Sequence, residues 1–260
     1  MFKRDAGGRD NKAAPVSGPM LNPWRTLWNS LPGTCQVCGA WPSSAVCEAC
    51  AARFQDEAPR CTACADRVPV DVPLCGACLT RPTPAALHAC AAAVDYAYPW
   101  DGLIARFKFR QEPGWAGPFA RRMLQAPQAG ALLSSCNLLA PVPLTPARLA
   151  GRGYNQAWEL VKALRRASTP AARAPALAEA LVRLTETPDQ HSLPREQRLR
   201  NLQGVFAAHP LHAPRLHGRH VLLVDDVTTT GATLQAAAQA LLQAGAVRVS
   251  ALVFARTPAR

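Results

Sequence analysis

The chain is predicted to be an α/β protein: a parallel sheet flanked by helices, with a small cysteine-rich module ahead of it. Short apolar runs such as Val221–Asp226 (VLLVDD) and Val247–Phe254 (VRVSALVF) alternate with helical patterns over the C-terminal two-thirds, and that alternation implies parallel strands joined by crossovers. Eight of the ten cysteines fall between residues 35 and 78, in a stretch with few large apolar side chains that cannot build a core of its own. With 260 residues and 49% hydrophobic content, the chain can bury a core and suits one large domain or two modest ones. The expected division is a flexible tail over 1–30, a metal module over 31–84 and an α/β domain over 85–260.

In chain order, the first twenty residues mix Gly, Pro, Ser and charge without periodicity and read as tail. Their basic residues are not followed by an apolar core, so they do not form a secretory signal. No run approaches the roughly 18 apolar residues of a membrane span, so no membrane insertion is expected and the cytoplasm is the default compartment. After a proline-marked linker at Pro82 and Pro84, residues 93–98 read as a strand and 101–109 as a helix. A second helix is expected over 115–133, weakened at Pro127. Residues 137–144 read as a buried strand ending in a proline turn, 148–156 as a glycine-loosened loop, and 157–167 as an amphipathic helix. Residues 168–218 give no clear pattern. A strand over 220–226, a helix over 231–244 closed by Gly245, and a strand over 247–254 complete the order.

The cysteines pair as Cys35/Cys38, Cys47/Cys50, Cys61/Cys64 and Cys75/Cys78, separated by 8, 10 and 10 residues. A C-x-x-C knuckle turns two thiolates toward one metal, and two knuckles complete a tetrahedral four-sulfur shell. Two structural zinc ions are the natural count, since filled shells leave no position for a reacting water. Consecutive pairing of the knuckles is expected, with a cross-braced arrangement as the alternative. In a reducing compartment disulfides are disfavoured. Cys90 and Cys136 lack partners in spacing and read as small buried hydrophobes.

Charge is uneven. Residues 1–90 carry nine Lys/Arg against seven Asp/Glu, whereas residues 91–260 carry twenty against ten. The basic excess points to an anionic ligand of the C-terminal part. Arginines outnumber lysines 25 to 4, which suits bidentate phosphate binding but also fits compositional bias.

The most informative segment runs from Val221 to Leu234. An apolar strand ends in Asp225 and Asp226; Val227, Thr228, Thr229, Thr230, Gly231, Ala232 and Thr233 follow and lead into a helix. Ligands of open α/β sheets sit at the carboxyl ends of strands, and a helix N-terminus offers free amides and a positive dipole end to a phosphate. Two adjacent carboxylates would repel that phosphate, so they must address ribose hydroxyls or a magnesium ion. The bland alternative is a threonine-capped helix after a buried strand. The string is neither a Walker loop nor a dinucleotide-binding glycine motif.

This string resembles the 5-phosphoribosyl-1-pyrophosphate (PRPP) motif of the type I phosphoribosyltransferases. Together with the four knuckles, the Lys108–Arg110 segment, Pro141–Leu144, Arg152–Gln156 and the Arg183–Gln190 stretch with Arg198 and Asn201, it resembles the ComF family, phosphoribosyltransferase-like proteins associated with competence and DNA uptake. The resemblance implies the type I phosphoribosyltransferase fold, with about five parallel strands. It implies that Asp225 and Asp226 contact the ribose hydroxyls and, indirectly, magnesium; that Val227 to Thr233 bind PRPP, with Thr229 to Thr233 cradling the 5′-phosphate; and that Val142, Pro143 and Leu144 face the pyrophosphate. Arg148, Arg152 and the Gly151–Gln156 loop resemble the flap that closes over PRPP; the plainer alternative reads Arg152 as a solvated loop arginine, and Asn155 and Gln156 as caps of the next helix. The implied partners are PRPP, single-stranded DNA and competence proteins. Thr229 stands where some purine-specific transferases carry a basic carboxylate. A threonine hydroxyl is no useful base at neutral pH, which argues against a hypoxanthine-type acceptor. The alternative function is a non-catalytic single-stranded DNA binder that reuses the PRPP pocket.

Overall fold

In the computed structural model, residues 33–54, 58–81, 84–169, 173–184 and 204–258 are described. The tail expected over 1–30 and most of the Arg183–Asn201 stretch lie outside them. The chain divides into two compact units, residues 1–47 and 48–260.

Within 48–260, two short helices accompany the cysteines, α1 (Glu48–Arg53) and α2 (Gly76–Leu79). The α/β part follows as β1 (Ala89–Asp95), α3 (Trp100–Phe109), α4 (Ala116–Leu124), α5 (Ala129–Ser135), β2 (Leu138–Pro141), α6 (Pro146–Arg152) and α7 (Gln156–Ala167). After β3 (Leu181–Arg183) and β4 (Phe206–Ala208) come β5 (His220–Thr228), α8 (Ala232–Gln243) and β6 (Arg248–Arg256).

Four strands form one all-parallel sheet in the order β1-β6-β5-β2, and β3 pairs antiparallel with β4 beside it. Among the described residues, the sheet gains beyond β2 only a single parallel bridge, Leu139 to Ala176, which stops short of a fifth strand. Leu222, Leu223, Leu252 and Val253 are completely shielded. Helices on both faces explain why these runs are apolar without alternation. Trp100, Phe107 and Phe119 pack on the sheet through Phe254, with Phe119 and Phe254 stacked at 4.0 Å between ring centroids.

Two expectations shift. The first strand begins earlier than residue 93, because the small side chains of Ala89–Ala93 fit the buried edge against β6. The helix expected over 115–133 is broken into α4 and α5 around Pro127, which cannot donate to the preceding turn. Among the described residues no helix is long and apolar enough to cross a membrane.

Candidate functional site

The carboxyl ends of β5 and β2 lie side by side, since Val142 donates its amide to the Val224 carbonyl at 3.0 Å. Here the acidic pair leaves the core. Asp226 is only 5% exposed, and its Oδ1 lies 3.1 Å from the Lys108 ammonium at the end of α3. Its other oxygen, Oδ2, is buried with no hydrogen-bond partner. Asp225 is half-buried. Burial first, then the neighbouring Asp226 carboxylate, holds its carboxyl well above the usual range, while Lys108 pulls it down. Two carboxyl groups thus face one ammonium, and an orphaned buried acceptor asks for a donor such as a sugar hydroxyl.

The threonine loop follows directly. Val227 and Thr228 are still in β5, in register with Ala255 and Arg256 of β6. The Val227 amide donates to Asp226 Oδ1 at 2.7 Å, so the turn expected to start at Val227 starts later. The amides of Thr229, Thr230 and Gly231 make no hydrogen bond among the described residues. The Ala232 amide reaches Thr230 Oγ1 at a long 3.4 Å. Gly231 takes φ +77°, a left-handed conformation that a side chain would strain, and a Cβ there would meet nothing within 4 Å. Open amides, the hydroxyl-bearing Thr229, Thr230 and Thr233, and the N-terminus of the 12-residue α8 follow one another here, an arrangement able to receive an anion.

Residues 148–156 are not a loose loop. Pro146–Arg152 is helical, with Thr145 as its N-cap accepting from the Arg148 amide at 3.3 Å and Pro146 in the first turn. Thr-Pro is a start signal, since Pro tolerates the first helical position and Thr satisfies an orphan amide. Asn155 does cap α7: its Oδ1 accepts from Ala157 at 2.9 Å and Trp158 at 3.4 Å, while its Nδ2 donates to the Val142 carbonyl at 3.1 Å. Tyr154 donates its hydroxyl to the Phe107 carbonyl. The Arg152 guanidinium lies 5.1 Å from the Phe109 ring centroid and donates to Gln156 Oε1 at 3.0 Å. Gln156 is 2% exposed, and its Nε2 has no partner.

These contacts close a circuit. From Asp226 it runs through Lys108 to the end of α3, through Tyr154 to Asn155, and through Val142 back to β5. Asp225, Asp226, Val142 and the Arg152 turn therefore share one connected region. Arg148 sits one turn before Arg152 on α6. Pro143 and Leu144 are half-buried after β2.

The cysteines gather consecutively: Cys35, Cys38, Cys47 and Cys50 in one group, and Cys61, Cys64, Cys75 and Cys78 in the other, with the sulfurs of each within 4.8 Å of one another. None forms a disulfide. The Sγ atoms of Cys38 and Cys47 are 3.7 Å apart and those of Cys64 and Cys75 3.6 Å. A tetrahedron with Zn–S of about 2.3 Å has edges of about 3.8 Å, so the donors suit that metal. Cys90 and Cys136 are buried, and burial pushes their thiols up to about 12 and about 11.

The second group is braced to the carboxyl end of the sheet by a network that sequence reading did not find. Asp95, ending β1, accepts from Arg60 at 2.8 Å and Arg67 at 2.6 Å. Arg256, ending β6, reaches Asp66 at 3.5 Å. Each acid lies beside a knuckle or at a strand end, the one signal that could have drawn attention to it.

The family model "Phosphoribosyl transferase domain" matches residues 175–260. "DNA utilization protein YhgH" of Escherichia coli (strain K12) is 31% identical over 237 residues, spanning 88% of this chain and 99% of that protein. "Competence protein F" of Haemophilus influenzae is 33% identical over 165 residues, spanning 62% of this chain and 69% of that protein. A solved glutamine PRPP amidotransferase from B. subtilis, complexed with ADP and GMP, aligns over 52% of this chain and 26% of its own, at 18% identity and a TM-score of 0.29, too loose a likeness to carry weight. With a curated relative matched over nearly its whole length and the double four-cysteine arrangement ahead of a phosphoribosyltransferase domain, the chain belongs to the ComF/YhgH family.

Proposed function

We propose that the protein binds PRPP at the carboxyl ends of β5 and β2 and transfers or recognises its phosphoribosyl group. The observation that carries this is the orphaned Asp226 Oδ2, buried one step before a loop of open amides. The amides and hydroxyls of Thr229–Thr233 would receive the 5′-phosphate. Asp226 Oδ2 would accept from a ribose hydroxyl, and Asp225 would serve the neighbouring one. Val142, Pro143 and Leu144 would face the pyrophosphate, and Arg148 and Arg152 would neutralise it.

A magnesium ion carried in with PRPP would supply further neutralisation of the pyrophosphate. The two cysteine groups would hold structural zinc. In such a site the protein's task is placement, charge stabilisation and exclusion of water. Thr229 offers no general base, so an acceptor that is already nucleophilic suits the site best.

The names of the relatives concern DNA utilization and competence. We place this protein in the same process, with single-stranded DNA as a candidate partner and no requirement for catalysis in that role. Titration calorimetry with PRPP and magnesium is the test. Wild type should bind, and Asp226→Ala should lose at least roughly tenfold in affinity, the cost of a buried hydrogen bond to a charged group. Equal affinity in both proteins would remove the reading. Pyrophosphate release with candidate acceptors then separates transfer from recognition.

A further inference from the structure

Four aromatic residues lie in α3 or just after it, and they divide sharply. Trp100, Phe107 and Trp115 are buried in the core, whereas Phe109 is 69% exposed. Phe109 is the last residue of α3, and the chain then turns away at Gln111, with φ +55°. The preceding residue, Lys108, holds Asp226. The ring is therefore anchored one residue from the acid pair yet shows most of its surface to water.

That ring is already half of a stack. The Arg152 guanidinium lies over it at 5.1 Å and is held by donation to the Gln156 amide oxygen at 3.0 Å. A held arginine beside an open ring presents a flat, cationic, polarisable surface. Planar π-systems stack on such surfaces, and every nucleobase has a π-face. Arg110 next to the ring and Arg148 one helical turn from Arg152 extend the positive character, which suits a guest bearing phosphates.

We propose that Phe109 and Arg152 form a stacking platform for a planar nucleobase at the mouth of the site whose acids read the ribose. The inference rests on the phosphoribosyl reading for its geometry: the base lies beyond the sugar, where an acceptor or a strand would approach. The base belongs either to a free molecule or to a single strand, and the two sources separate experimentally.

Wild type, Phe109→Ala, Phe109→Trp and Asp226→Ala are compared in four titrations: PRPP with magnesium, oligo(dT), an abasic strand of equal length, and adenine in the presence of PRPP and magnesium. Phe109→Ala should weaken oligo(dT) or adenine by roughly tenfold, the size of one lost stack, and Phe109→Trp should restore it. An oligo(dT) effect identifies a base within a strand, and an adenine effect a free base. The abasic strand should bind wild type and Phe109→Ala alike, because it offers phosphates without a ring. Phe109→Ala should keep its PRPP affinity while Asp226→Ala loses it. If wild type fails to bind PRPP but the Phe109 dependence persists, the platform stands and the sugar-reading assignment falls. Equal binding of oligo(dT) and adenine by wild type and Phe109→Ala, or binding of neither by wild type, overturns the platform.

Discussion

His220 sits buried at the head of β5 with both ring nitrogens engaged, Nδ1 at 3.0 Å from the Ser135 carbonyl and Nε2 at 2.9 Å from the Ser250 hydroxyl. A carbonyl can only accept, so Nδ1 carries the proton and Nε2 accepts from Ser250. Burial, chiefly, pushes this imidazole below its ordinary 6.5, with Arg248 and His88 adding to the effect and the Ser135 carbonyl opposing it. The unfolded chain therefore takes up a proton near pH 6.5 that the folded chain refuses. Stability is complete above that pH and declines as pH falls through the window between 6.5 and the lower folded value. Thermal unfolding followed from pH 7 to pH 5 should show a falling Tm, and His220→Gln should flatten the slope. The sequence groups this histidine with its proline-flanked neighbours, which suggests exposure. Its burial depends on Ser250, 30 residues downstream in β6, and no local pattern reveals that. Asp225 and Asp226 stood out in the sequence because two adjacent charges at the end of an apolar strand are costly to bury. The Lys108 pairing was not, because it is set by where α3 ends.

Among the elements, β5, α8 and β6 were readable almost to their boundaries, since long apolar periodicity leaves little choice. The glycines at 151 and 153 suggested a loop, yet α6 forms because Thr145 and Pro146 start it; the start signal outweighs Gly151, and Gly153, at φ +78°, ends the helix as its cap. The small β3–β4 pair escaped notice because three-residue strands carry too little pattern. The end of α8 shows how tightly one element can be specified. Gly245 takes φ +93°, and a Cβ there would lie 2.7 Å from the His217 ring. Gly245→Ala should therefore cost about 1–2 kcal/mol in chemical denaturation, from left-handed strain plus displacement of that ring. A cost near zero would mean that the α8–β6 turn relaxes freely.

For the whole molecule, the arginine excess proves to be partly internal. Arg60, Arg67 and Arg256 are committed to Asp95 and Asp66, which brace the second cysteine group against the strand ends. The charge available to a nucleic acid is smaller than the composition suggests. Removing one partner of a buried pair costs about 3–5 kcal/mol, so the second cysteine group and the sheet should fail together. Elemental analysis is expected to find two zinc ions per chain. Cys61→Ser should leave one and lower the Tm, whereas an unchanged Tm would show that the brace holds without its metal. Strand order carries a further consequence. Among the described residues β1 pairs with β6 alone, so a growing polypeptide leaving the ribosome holds β1 unmatched until β6 has been made. Each cysteine cluster, by contrast, closes over a short stretch and can assemble early. Nascent chains halted before residue 248 should therefore bind metal yet stay vulnerable to proteases, waiting on the strand that completes the sheet.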